Sequence, residues 1–186
     1  MAVDPETKVI TGHYGSGTGR SADGSGPQFT CIFFFRGEAK GAPPYRIRSW
    51  YDADKTDADV IDGEVAPLDE GGVSIHLKQE HGGCWNVQHF ADKEPAYFEY
   101  DAKDGGWRGV RVVAAKKAYF HDTPDAAARR KAYVVEGDAL RVYETQPGWV
   151  QVRYTTYGKR NEEIETEGWI KAGDLYPDTV PRAARK

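Results

Sequence analysis

Short β-forming runs, each closed off by turn residues, limit what this chain can fold into. Val9 to Tyr14, Phe29 to Phe35, Tyr45 to Tyr51, Val60 to Val65, Val73 to Leu77 and Ala96 to Tyr100 are rich in β-branched and aromatic residues. Gly, Pro, Asp and Asn separate them, which is the pattern of strands joined by turns. In Tyr45-Arg46-Ile47-Arg48-Ser49-Trp50 and Val73-Ser74-Ile75-His76-Leu77 apolar and polar residues alternate, so each run buries one face and wets the other, as antiparallel strands do. The fold expected is all-β, its first part, residues 1–112, an antiparallel sandwich or barrel-like domain. Cys84 to Val87 reads as a further strand, and Gly15 to Pro27, a Gly/Ser stretch, as a mobile loop.

The last third of the chain carries a denser version of the pattern. Lys117-Ala118-Tyr119-Phe120 is followed by a polar loop, then Ala132 to Asp138, Leu140-Arg141-Val142-Tyr143, Gly148 to Tyr154, Gly168-Trp169-Ile170 and Asp174-Leu175. Pro124 followed by alanines predicts a helical turn in the polar loop. The order of Tyr-Val-Val-x-Gly-Asp, Leu-x-Val, Gly-Trp-Val-x-Val and Gly-Trp-Ile resembles the bacterial SH3-like (SH3b) domain family over about 60 residues. The resemblance implies a small SH3-like barrel over residues 113–178; residues 179–186 read as a tail, and because the run leading into the barrel is apolar rather than Pro/Ser-rich the two domains are expected to pack. Tyr157 to Glu165 departs from that family as a charged extension between two strands. The apolar run Gly109 to Val113 reads as the connector into the barrel.

SH3-like bacterial modules accompany cell-wall proteins, so the resemblance also implies an envelope setting and an oxidising compartment. The chain has two cysteines, Cys31 and Cys84. In such a compartment they are expected to pair, closing a loop of 53 positions, worth about 4 kcal/mol in the chain-entropy model. The alternative is a pair of buried thiols. Met1-Ala2-Val3-Asp4-Pro5 has neither a basic n-region nor an apolar h-region. The location expected is periplasmic or secreted, with a targeting segment removed and Met1 in its place.

Composition narrows the classes of partner. Hydrophobic residues make up 39% of the chain, with five Trp, eleven Tyr and seven Phe, too apolar and aromatic for a disordered polymer. Mean hydropathy is -0.69, and no apolar run reaches the roughly 18 residues of a membrane helix. Lys and Arg number 25 against 29 Asp and Glu, with no basic block among stacking aromatics, so nucleic acid is not an expected partner. Arg129-Arg130-Lys131 reads as solvated surface.

Several constellations invite chemistry. His76, His81 and His89 lie near Cys84, but their spacing matches no common zinc pattern, and no metal is expected. Cys84 with His81 forms the kernel of a thiol hydrolase, since a thiolate needs a neighbouring base. No third, orienting residue is apparent. The competing reading gives Gly82 and Gly83 the task of a tight turn that brings Cys84 to Cys31. Asp52, Asp54 and Asp57 sit in an acidic run that lacks the glycine and the final glutamate of a calcium loop. It reads as a hydrated hairpin tip offering negative charge to a basic partner. Gly15 to Arg20 lacks the Gly-Lys-Ser/Thr ending of a phosphate loop.

The function expected is therefore a non-catalytic cell-envelope binding protein, without cofactor, acting through protein-protein contact. An inhibitor or immunity protein against a peptidoglycan hydrolase is the specific form. Tyr119, Tyr157, Trp149 and Trp169, with Asp52, Asp54 and Asp57, are the expected contact residues. The alternatives are a peptidoglycan-targeting module and a hydrolase using Cys84 and His81.

Overall fold

A computed structural model describes residues 1–24, 26–51, 60–100, 105–158, 160 and 162–179. The chain is all-β: its helical elements are three single 3-10 turns among the described residues. It divides into two compact units, Glu6–Lys103 and Asp104–Asp178, the first five residues going with the second. A two-residue strand, β1 (Ala2–Val3), opens the chain.

The N-terminal unit is a meander in which each strand hydrogen-bonds the next in antiparallel order: β2 (Val9–Thr18), β3 (Phe29–Glu38), β4 (Tyr45–Trp50), β5 (Ile61–Pro67), β6 (Val73–Leu77) and β7 (Ala96–Phe98). The alternation in the sequence sets which face is buried. Ile10, Phe33, Phe35, Ile47, Val65, Ile75 and Leu77 line the inner face and are at most 5% exposed. Burying a side chain of this size contributes about 1.5–3 kcal/mol, so the row dominates the unit. Gly12 lies opposite Phe35 on β2, where a β-carbon would run into the Phe35 ring.

Two expectations change here. The Gly/Ser stretch is not all loop: β2 continues through Gly15 to Thr18, paired with Phe29 to Ile32. The ladder of β3 supplies partners for this backbone, and Gly17 packs so closely on Pro27 that a β-carbon would lie 2.6 Å from its ring. Cys84 to Asn86 is a 3-10 turn, η1, rather than a strand, because Gly83 ahead of it turns the backbone left-handed, at φ 82°.

The C-terminal unit is a six-stranded antiparallel sheet in the order β10-β9-β13-β12-β11-β8. Its strands are β8 (Gly109–Val112), β9 (Ala118–His121), β10 (Arg129–Val134), β11 (Ala139–Gln146), β12 (Trp149–Tyr157) and β13 (Glu163–Lys171). Val113, Ala118, Phe120, Val134, Leu140, Val142, Val150, Val152, Ile170 and Leu175 form its core. The division of the chain falls near residue 104, not 112. Gly109 to Val112 is no connector but a strand of this sheet, pairing with Ala139 to Val142. The turn after Pro124 is present as the 3-10 segment η2 (Ala126–Ala128), capped by the Asp125 carboxylate accepting from Ala127 N at 2.9 Å. The charged extension is the far end of a long hairpin, paired out to Tyr157 opposite Glu163. Arg153 bonds Glu167 through Nε at 2.6 Å and lies 3.6 Å from Glu165.

Candidate functional site

Cys31 and Cys84 form a disulfide, and both are 0% exposed. Gly82 and Gly83 make the turn that delivers Cys84. At Gly83 a β-carbon would collide with the Thr30 carbonyl oxygen, so the residue must be glycine both for its left-handed φ and for its close approach to β3. The Cys84 sulfur is committed to this bond, and the thiolate that a Cys84–His81 hydrolase requires is not assembled.

His81 is buried at 4% exposure, its ring stacked on Phe33 with centroids 5.0 Å apart. Its Nε2 lies 2.9 Å from the Ser49 hydroxyl, which donates to the Ile61 carbonyl at 3.1 Å. With that hydroxyl proton committed, the Ser49 oxygen accepts and His81 Nε2 carries the hydrogen. The imidazole is thus a satisfied polar group in the core. Phe90 stands edge-on to Phe33 at 4.9 Å, and Glu80 fixes the same segment by accepting from Phe90 N at 2.7 Å and Ala91 N at 2.8 Å.

The other histidines do not converge with it. His76 Nε2 bonds the Asp92 carbonyl at 3.0 Å, and His89 stands edge-on to the exposed Trp85 at 5.1 Å. Among the described residues no three His, Cys, Asp or Glu side chains are placed to hold a metal. The outer faces of β3 to β6 line an open trough of about 1030 Å³. Its charges are largely internal pairs: Lys40 with Glu38 at 2.6 Å, and Arg48 and Lys78 with Asp62 at 3.9 and 3.3 Å. Asp52, Asp54 and Asp57 lie outside the described residues.

The aromatic residues expected to bind are dispersed over the C-terminal sheet. Trp169 is 8% exposed and sits on β13 opposite His121. Trp149, half-buried, meets the His121 ring edge-on at 4.7 Å. His121 is itself buried, and its Nδ1, donating to the Asp125 carbonyl at 2.8 Å, ties the polar loop down. Tyr157 is 64% exposed but lies at the opposite end of β12 from Trp149. Eight steps of strand separate the two by about 26 Å, so they do not belong to one contact point.

Tyr119 does stand in a cluster. On β10 Tyr133 is its register partner, with the rings 5.7 Å apart. The Arg129 guanidinium lies 4.5 Å from the Tyr119 centroid, and Lys117 Nζ lies 4.3 Å from that of Tyr133. Such contacts stabilise by about 0.5–1 kcal/mol at exposed sites and fix long cationic side chains over rigid rings. Tyr133 is 45% exposed and Val135, just beyond β10, is 43% exposed. Arg130, between Arg129 and Lys131, is used differently, donating to the Glu167 carbonyl at 2.6 Å and lying 3.7 Å from Asp122. The expectation of plain solvated surface for Arg129-Arg130-Lys131 therefore gives way to a division of labour along the strand. Tyr133, which the structure places in this cluster, is not among the contact residues expected from the sequence. The signal was its place one residue before the core residue Val134, which turns it to the opposite face.

No family model, no curated protein and no solved structure matches the chain. Among the described residues no helix is long and apolar enough to cross a membrane, and the disulfide fits an oxidising compartment.

Proposed function

We propose that this chain is a non-catalytic binding protein of the cell envelope, periplasmic or secreted, that works through contact with another protein. The observation that carries the reading is the Tyr119–Tyr133 pair, held beneath Arg129 and Lys117 on one face of β9 and β10. Rigid aromatic rings beside fixed cations supply contact area at low entropic cost, as binding surfaces do. The buried disulfide and the satisfied His81 support it, since the groups best suited to chemistry in the N-terminal unit serve the core instead. The partner class we favour is a peptidoglycan-degrading enzyme, with this chain as its inhibitor or immunity protein. The similarity of the C-terminal third to SH3-like envelope modules supports that setting.

The test pairs two captures. Purified protein and its Tyr133→Ala variant are assayed for stoichiometric inhibition of a panel of muramidases and wall peptidases, and for sedimentation with peptidoglycan sacculi. Inhibition by the wild type that Tyr133→Ala loses supports the protein-partner reading. Sedimentation without inhibition replaces it with peptidoglycan targeting. Binding in neither assay sinks both.

A further inference from the structure

We infer that the face formed by β9 and β10 receives an acidic segment of a partner protein, its carboxylates bound by Lys117 and Arg129 and its apolar side chains lying on Tyr133 and Val135. This deepens the proposed function and rests on it.

The argument begins with charge. The chain carries a net charge of -4, yet Lys117, Arg129 and Lys131 are all exposed on this short stretch of the C-terminal sheet. Among the described residues, Lys117 and Arg129 pack on tyrosine rings rather than pairing with carboxylates. A cation seated on an aromatic face keeps its outward N–H groups for a second partner, and Arg presents them as a fork that matches a carboxylate. Arg130 shows the contrast: its side chain is spent on Glu167 and Asp122 within the fold.

Polarity then separates a protein segment from a simple polyanion. The cations are interleaved with apolar and aromatic surface, Tyr133 at 45% and Val135 at 43% exposure. A polyphosphate or similar polymer brings charge but nothing to cover that area. A polypeptide with acidic and apolar side chains matches both, and the aromatic contact then adds to charge pairing. β10 is also the terminal strand of its sheet. Its outward side chains Arg129, Lys131 and Tyr133 recur at every second residue, the spacing at which an extended segment presents its own. The acidic run around Asp54 suggested a basic cleft as the partner surface; this face calls for the opposite charge.

The probe is a fluorescein-labelled twelve-residue peptide of four Glu-Glu-Leu repeats, followed by anisotropy at low and at physiological salt. The expected result is saturable binding that persists at physiological salt. Arg129→Ala or Lys117→Ala should weaken it about tenfold, Tyr133→Ala should weaken it too, and Lys171→Ala, an exposed cation elsewhere on the sheet, should leave it unchanged. The corresponding Gln-Gln-Leu peptide should not bind. Equal losses from Arg129→Ala and Lys171→Ala, or inorganic polyphosphate binding as tightly as the peptide, would overturn the inference in favour of unspecific charge attraction. If the peptide does not bind while Tyr133→Ala still abolishes enzyme inhibition, the acidic-segment inference fails and the binding-surface reading stands. If neither effect is seen, both fail.

Discussion

The Ser49 hydroxyl lies 2.9 Å from His81 Nε2 in the interior of the N-terminal unit, with Ser49 at 0% and His81 at 4% exposure. Because the hydroxyl proton is directed to the Ile61 carbonyl, Ser49→Ala removes the acceptor that faces the His81 Nε2–H. Leaving a buried donor unsatisfied costs about 1–3 kcal/mol. Urea unfolding of the variant should show that loss with an unchanged m-value; a change under a few tenths of a kcal/mol would mean the imidazole finds another acceptor.

The Cys31–Cys84 bridge closes a loop of 53 residues around the inner face of the same unit. Replacing both cysteines by alanine should lower stability by about 4 kcal/mol through the freed unfolded chain. Both cysteines are fully buried, so dithiothreitol should reduce the folded protein slowly and the denatured protein at once. Intact-mass analysis after thiol alkylation reads the difference. Rapid alkylation of the native protein would show that the bridge is accessible or unformed.

The strand pattern was legible where alternation is strict, as in Tyr45 to Trp50, because a period of two fixes both the element and its buried face. Gly109 to Val112 was not. A short apolar run reads equally as linker or strand until a partner is known, and here the partner, Ala139 to Val142, lies some thirty residues on. Gly15 to Thr18 failed for a related reason: glycine lowers strand propensity, but a paired neighbour overrides it. Of the candidate site, Tyr119 was found from its residue type. Its association with Tyr133, Lys117 and Arg129 depends on the register of β9 with β10, which the irregular pairing between Arg129 and Tyr133 conceals.

Gly83 offers a sharp test of the turn that sets the disulfide. A β-carbon there meets the Thr30 carbonyl oxygen, and φ is 82°. The left-handed backbone alone costs a non-glycine residue about 1 kcal/mol, and the clash with main chain cannot be relieved by a rotamer. Gly83→Ala should therefore destabilise by at least about 2 kcal/mol. Gly82→Ala, where a β-carbon meets open space, should be nearly neutral. Equal effects at the two positions would refute the assignment.

His13 links stability to pH. Partial burial, with the Phe34 ring stacked 4.8 Å away, is the main cause that lowers its pKa from 6.5 to about 4. The unfolded chain then binds a proton that the folded chain refuses, so stability is fully present above pH 6.5 and falls as the pH drops toward 4. The span corresponds to a loss of about 3 kcal/mol, taking about 1.4 kcal/mol per unit. Carboxylates titrate in the lower part of the window and act in the same direction, so the informative quantity is a difference. His13→Phe keeps a ring against Phe34 and removes the titration. Its unfolding free energy, measured in urea from pH 7 down to about 4, should fall less steeply than that of the wild type, with most of the divergence between pH 6.5 and 5. Parallel curves would show that His13 is protonated in the folded protein without penalty, and the part-buried, neutral imidazole would have to be abandoned.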